Sequence, residues 1–146
     1  MVVLFAGVFA AVFLVRNFKA PDRESYVADN QTVIDVLPRP PGAREVMRQV
    51  LNNEETLFGE QFGHTVGYTT HVTYRVPSDA TAAGVIRFYR TGLSDWTAKT
   101  WTVDRLPFAC FDRGGAVVNI SPEGMQVGAA TKSYTLSVDH DGGDCE

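Results

Sequence analysis

From Val2 to Val15 the chain is an unbroken run of apolar residues and glycine, closed by Arg16. A helix rises about 1.5 Å per residue and a hydrocarbon core is roughly 30 Å thick, so a full crossing takes about 20 residues. The run reaches a minimal span only when carried through Phe18, with the Arg16 side chain extending to the interface. Residues 1–18 are therefore expected to form a transmembrane or signal-anchor helix whose partner is the lipid bilayer. A cleaved leader fits less well. It needs a basic stretch before the apolar core and a small-x-small site after it, whereas Met1 alone stands ahead here and the candidate site reads Phe18-Lys19-Ala20. No cysteine lies near the run to carry a lipid.

The pattern changes at Lys19. Residues 19–40 mix charged and small polar side chains and end at a stiff elbow, Pro38-Arg39-Pro40-Pro41-Gly42, which reads as a linker ahead of one soluble domain over 41–146. Within that domain Val46, Met47, Val50 and Leu51 fall at i, i+1, i+4 and i+5, which predicts a first helix from just after Pro41 to about Asn52. Strict alternation follows. From Thr65 to Val76, the residues Val66, Tyr68, Thr70, Val72, Tyr74 and Val76 share one face, and Gly67, Thr69, His71, Thr73 and Arg75 lie on the other, as in a strand with one face buried. Pro77 ends it, and Ser78 is placed to cap a helix from Asp79. Along that helix Ala82, Val85, Ile86, Tyr89 and Leu93 form a stripe that would lie on the strand's apolar face.

Short strands come next, at about 97–103, 108–111, 116–121 and 134–138. They are separated by the turn sequences Asp112-Arg113-Gly114-Gly115 and Ser121-Pro122-Glu123-Gly124. The predicted class is α+β: two helices packed on a mainly antiparallel, curved sheet of about five strands, the last four forming a meander.

Composition narrows the partners. With 146 residues, 45% of them hydrophobic, the chain has enough apolar surface for one folded domain. Thirteen Lys and Arg against 17 Asp and Glu give a net charge of −4, which excludes nucleic acid as the expected partner, because such binding rests on cations neutralising phosphates. The basic residues are scattered; Arg87 and Arg90 share part of one helix and read as a solvated face.

No catalytic, metal or cofactor site is expected. The tail Asp139-His140-Asp141-Gly142-Gly143-Asp144-Cys145-Glu146 lacks the alternating ligands of a calcium loop. Glu60 and His64 have helical spacing beside Gly59 and Gly63, which oppose a helix, and His64 and His71 point to opposite faces of one strand. Ser94 and Ser121 lack a nucleophile-elbow context, and Asn30 and Asn119 match the short glycosylation pattern. Tyr134, Trp101 and Phe111 read as core aromatics or as the lining of an apolar cavity.

Cys110 and Cys145 are the two cysteines. If strands 116–121 and 134–138 pair antiparallel, the chain leaving Val138 returns to the turn end that holds Cys110, and a disulfide becomes geometrically reasonable. Such a bond belongs outside the cytoplasm. The alternative is a buried free Cys110 and an incidental Cys145. Arg16, Lys19 and Arg23, which follow the apolar run, point the other way under the positive-inside bias.

The sequence Tyr74-Arg75-Val76-Pro77, followed by Val85-Ile86-Arg87-Phe88-Tyr89, Leu93 and Trp96, resembles uncharacterised bacterial domains held outside the membrane by an N-terminal helix or lipid. In those domains a strand ending in Val-Pro precedes a helix with a Phe-Tyr pair, then a Leu and a Gly-Trp; Asp95 stands here in place of that glycine. The likeness spans about residues 38–138 and implies a fold and an extracytoplasmic location, with no chemistry attached. The expected role is a membrane-tethered, non-enzymatic interaction domain that meets a membrane or envelope component on its uncovered sheet face or edge. The alternative is a structural accessory subunit of a larger membrane complex.

Overall fold

The structure, a computed structural model, describes residues 23–52, 68–140 and 145. The apolar run at residues 2–15 lies outside these, as do Glu60, His64 and most of the acidic tail. Among the described residues no helix is long and apolar enough to cross a membrane.

The chain forms α1 (Arg23–Val36), β1 (Arg44–Asn52), β2 (Tyr68–Val76), α2 (Ala82–Gly92), β3 (Thr97–Val103), β4 (Leu106–Arg113), β5 (Ala116–Ser121), a short 3-10 turn (Glu123–Met125) and β6 (Lys132–His140). The strands make one antiparallel sheet in the order β1-β2-β6-β5-β4-β3. The class is α+β as expected, with six strands among the described residues rather than about five, and β3 to β6 do form a meander. α2 carries the chain across the sheet, from β2 near one edge to β3 at the other.

The alternation in β2 sets the layers. Thr70, Val72, Tyr74 and Val76 are buried, and the register aligns Val72 and Tyr74 with Leu136 and Tyr134 of β6. With Val118 and Ile120 of β5 and Ala109 and Phe111 of β4, these residues make the sheet side of the core. The helix side comes from the α2 stripe: Ala82, Val85, Ile86, Tyr89 and Leu93 are all buried. Burying each of the large members contributes about 1.5–3 kcal/mol, enough to fix which face α2 presents. The cap differs from expectation. Ser78 and Asp79 lie in a turn closed by Ala80 N–H donating to the Pro77 carbonyl at 3.1 Å. The helix starts after Thr81, whose Oγ1 accepts from Gly84 N–H at 3.0 Å.

Within the stretch read as a linker, residues 23–36 form helix α1. α1 lies on β2 and β6 through Tyr26, Asn30 and Ile34, at i, i+4 and i+8. Asn30 Nδ2 donates to the Tyr68 carbonyl at 2.8 Å and to Thr70 Oγ1 at 3.3 Å, so a buried amide anchors the helix. The expected helix over 41–52 is strand β1 instead. Its backbone completes the hydrogen bonds of β2 on the side away from β6, and no helix there would satisfy that edge. The supposed stripe does not face the core, since Val46, Met47 and Leu51 are exposed.

Candidate interaction surface

Among the described residues both helices lie on one face of the sheet and no element lies on the other, the open face. Across its centre run short polar side chains: Thr69, His71 and Thr73 from β2; Ser133, Thr135, Ser137 and Asp139 from β6; Asn119 and Ser121 from β5. Thr73 and Thr135 hydroxyls lie 3.4 Å apart, and Thr69 Oγ1 donates to Asp139 Oδ2 at 3.3 Å. His71 sits half-buried here, and loss of water holds its pKa below the usual imidazole value. Among the described residues no group of three His, Cys, Asp or Glu is placed to hold a metal ion.

One corner of this face is covered. Cys110 and Val117 are buried although both point away from the helices, and there Cys145 comes to disulfide distance of Cys110, with Cα atoms 5.6 Å apart. The meander explains the approach: Ala116 pairs with His140, so the end of β6 arrives beside the β4–β5 turn. Gly114 and Gly115 take positive φ in that turn, as its sequence predicted.

The three aromatics considered for one cavity do not meet. Tyr134 and Phe111 are in the core, while Trp101 stands on the open face, stacked on Phe108 with ring centroids 5.9 Å apart. Tyr134 belongs to a buried cluster. It stacks on Tyr74 at 5.3 Å, its hydroxyl lies 2.8 Å from that of Tyr89, and the Arg39 guanidinium lies 5.7 Å from the Tyr74 ring centre. Burial pushes the phenol pKa values of Tyr89 and Tyr134 far up, so both stay neutral and serve packing. Of the two glycosylation patterns, Asn30 is buried with its Nδ2 engaged, and Asn119 is half-buried in a central strand.

The two sheet edges differ. β1 is irregular: its register shifts between Glu45 and Met47. Arg48 is tied to both Glu45 carboxylate oxygens at 2.7 Å and also to Gln31 of α1, and its hydrogen bond holds the Glu45 carboxyl below the usual range. A bulge and inward-held charges are common protections of an edge. β3 has no such irregularity. All seven of its residues pair in unbroken register with β4, from Thr97 with Asp112 to Val103 with Leu106, and all seven are exposed.

The β3–β4 connection is Asp104-Arg105, with φ of 48° and 69°. The type I′ two-residue hairpin loop has this backbone form, but it is one that an arginine adopts only at a steric penalty. On the open side the hairpin carries Lys99, Trp101, Val103 and Phe108. On the helix side, between β3 and α2, runs a groove of about 500 Å³ lined by Ile86, Arg87, Arg90, Thr91, Thr100 and Thr102. The ion pairs among the described residues are Arg48 with Glu45 and Arg113 with Asp95, so neither groove arginine is neutralised by them. The sequence placed Arg87 and Arg90 on one helix face and β3 at 97–103; what it did not reveal was that α2 brings that face alongside the outer edge of β3.

No protein-family model, curated protein or solved structure matches the chain.

Proposed function

We propose that this chain is a membrane-tethered, non-enzymatic interaction domain, held outside the cytoplasm by a helix at residues 1–18, that engages a protein component of the membrane or envelope through strand β3. The observation that carries this reading is the contrast between the edges: β3 is regular, fully exposed and flanked by exposed aromatic and basic side chains, whereas β1 is bulged and tied down. An unpaired edge of this kind is a template for another strand. The compartment is supported by the approach of Cys110 to Cys145, since a bond there persists only under oxidising conditions.

The test places a photo-crosslinking residue at Trp101, and separately at the buried Val85, in the full chain in its own membrane. The reading expects adducts to another polypeptide from Trp101 and none from Val85. Absence of any adduct from Trp101 would overturn it. Alkylation in intact cells examines the compartment: both thiols should react only after reduction. Mild solubilisation separates the accessory-subunit role, for which the chain would remain locked in a large complex under all conditions, from an exchanging interaction domain.

A further inference from the structure

We propose that β3 takes up an extended acidic segment of a partner polypeptide as an added strand, with carboxylates facing Arg87 and Arg90 and alternate apolar side chains facing Trp101 and Val103. This rests on the interaction-domain reading and deepens it by naming the partner's chemistry.

The geometry gives the two halves of the specificity. Side chains of a strand alternate between faces, so a strand laid beside β3 presents every second residue to the α2 side and the others to the open side. The α2 side offers two guanidinium groups with the Thr100 and Thr102 hydroxyls between α2 and β3, while Thr91 donates its proton to the Arg87 carbonyl at 3.0 Å. Arginine forks suit carboxylates, and the two β3 hydroxyls can donate to the same oxygens. The open side offers the stacked Trp101 and Phe108 rings and Val103, 40% and 48% exposed at Trp101 and Val103, which cover apolar side chains. Main-chain hydrogen bonds to the β3 edge would supply attachment; the alternating side chains would choose the partner. A basic segment is disfavoured by the arginines, and a uniformly acidic one would leave the aromatic side uncovered.

The probe is a synthetic peptide of repeated Glu-Val units, titrated calorimetrically into the full chain in detergent. A Lys-Val peptide and a Glu-Val peptide N-methylated at alternate residues serve as comparators. The Glu-Val peptide is expected to bind, with the Lys-Val peptide at least about tenfold weaker, and the N-methylated peptide, which cannot pair with an edge, should not bind. Arg87→Glu with Arg90→Glu should invert the preference between the first two. Both positions are exposed, and the Arg87→Gln, Arg90→Gln pair, expected to weaken Glu-Val binding without inverting it, guards against an effect on folding.

Equal binding of Glu-Val and Lys-Val peptides, or undiminished binding after N-methylation, overturns the proposal. So does concentration-dependent self-association that the peptide fails to compete, which would make a second copy of this chain the occupant. If no peptide binds while Trp101 still crosslinks to a neighbour, the acidic-strand proposal falls and the interaction-domain reading stands; if neither occurs, both fall.

Discussion

β2 and β3 are strands of one sheet, joined through α2, and they face opposite demands. In β2 every second side chain is buried, its two neighbours β1 and β6 complete its hydrogen bonds, and Val72 and Tyr74 lie at the centre of the core. In β3 no side chain is buried, and among the described residues only β4 pairs with it. The sheet thus has an interior end that holds the fold and an outer end whose exposure the fold does not require. A strand that adds so little to the core is a place where sequence is free to serve a partner.

The sharpest break of this contrast comes from truncation on each side of it. Phe111→Ala, in the core end of β4, should lower unfolding free energy by about 3–5 kcal/mol, whereas Trp101→Ala, which removes a half-exposed cross-strand stack on Phe108, should lower it by about 0.5–1.5 kcal/mol; chemical denaturation without reductant measures both. A comparable loss from the two would mean that β3 is packed against something and is not an open edge. Removing the covalent tie is next in size. If Cys110 and Cys145 are bonded, Cys110→Ser or reduction should destabilise the chain by about 3–4 kcal/mol, from a closure across a separation of 35 residues.

A smaller change sharpens the core end. Tyr89→Phe leaves the buried Tyr134 hydroxyl without its partner and should cost about 1–3 kcal/mol, with Tyr89→Phe and Tyr134→Phe together costing less than the sum of the singles. The smallest effect lies on the open face. Because burial depresses the His71 pKa in the folded state, the unfolded chain binds the proton more readily. Stability should therefore be complete above the ordinary imidazole pKa and decline as pH falls below it towards the folded value. His71→Gln should remove that part of the slope in denaturation followed against pH.

How far the chain could be read in advance follows the same division. β2, the α2 stripe, the meander and the meeting of Cys110 with Cys145 were legible because burial imposes a period and because Gly114-Gly115 marks its turn. α1 was not, since its contact is three residues wide and its middle anchor is Asn30, a polar side chain whose burial depends on Tyr68 and Thr70 far along the chain. β1 was misread because Val46, Met47, Val50 and Leu51 satisfy a helical spacing by coincidence, while the reason for a strand there lies in the unsatisfied edge of β2. The Asp104-Arg105 turn went unseen because Arg105 stands where such a turn usually carries glycine, although Asp104 is a residue that tolerates positive φ. The groove was hidden for a further reason: it exists only between two elements, and neither Arg87 and Arg90 nor Thr100 and Thr102 signals it alone.

The most direct test of the claim that β3 is an open edge is amide hydrogen exchange on the full chain in detergent, compared strand by strand. In an antiparallel edge strand alternate amides point away from the neighbour, so every second β3 amide should exchange close to the rate of unstructured backbone, while β2 is protected throughout and β3 gains protection when the Glu-Val peptide is added. Uniform protection of β3 in the isolated protein, equal to that of β2, would show that the edge is already occupied and would contradict the account.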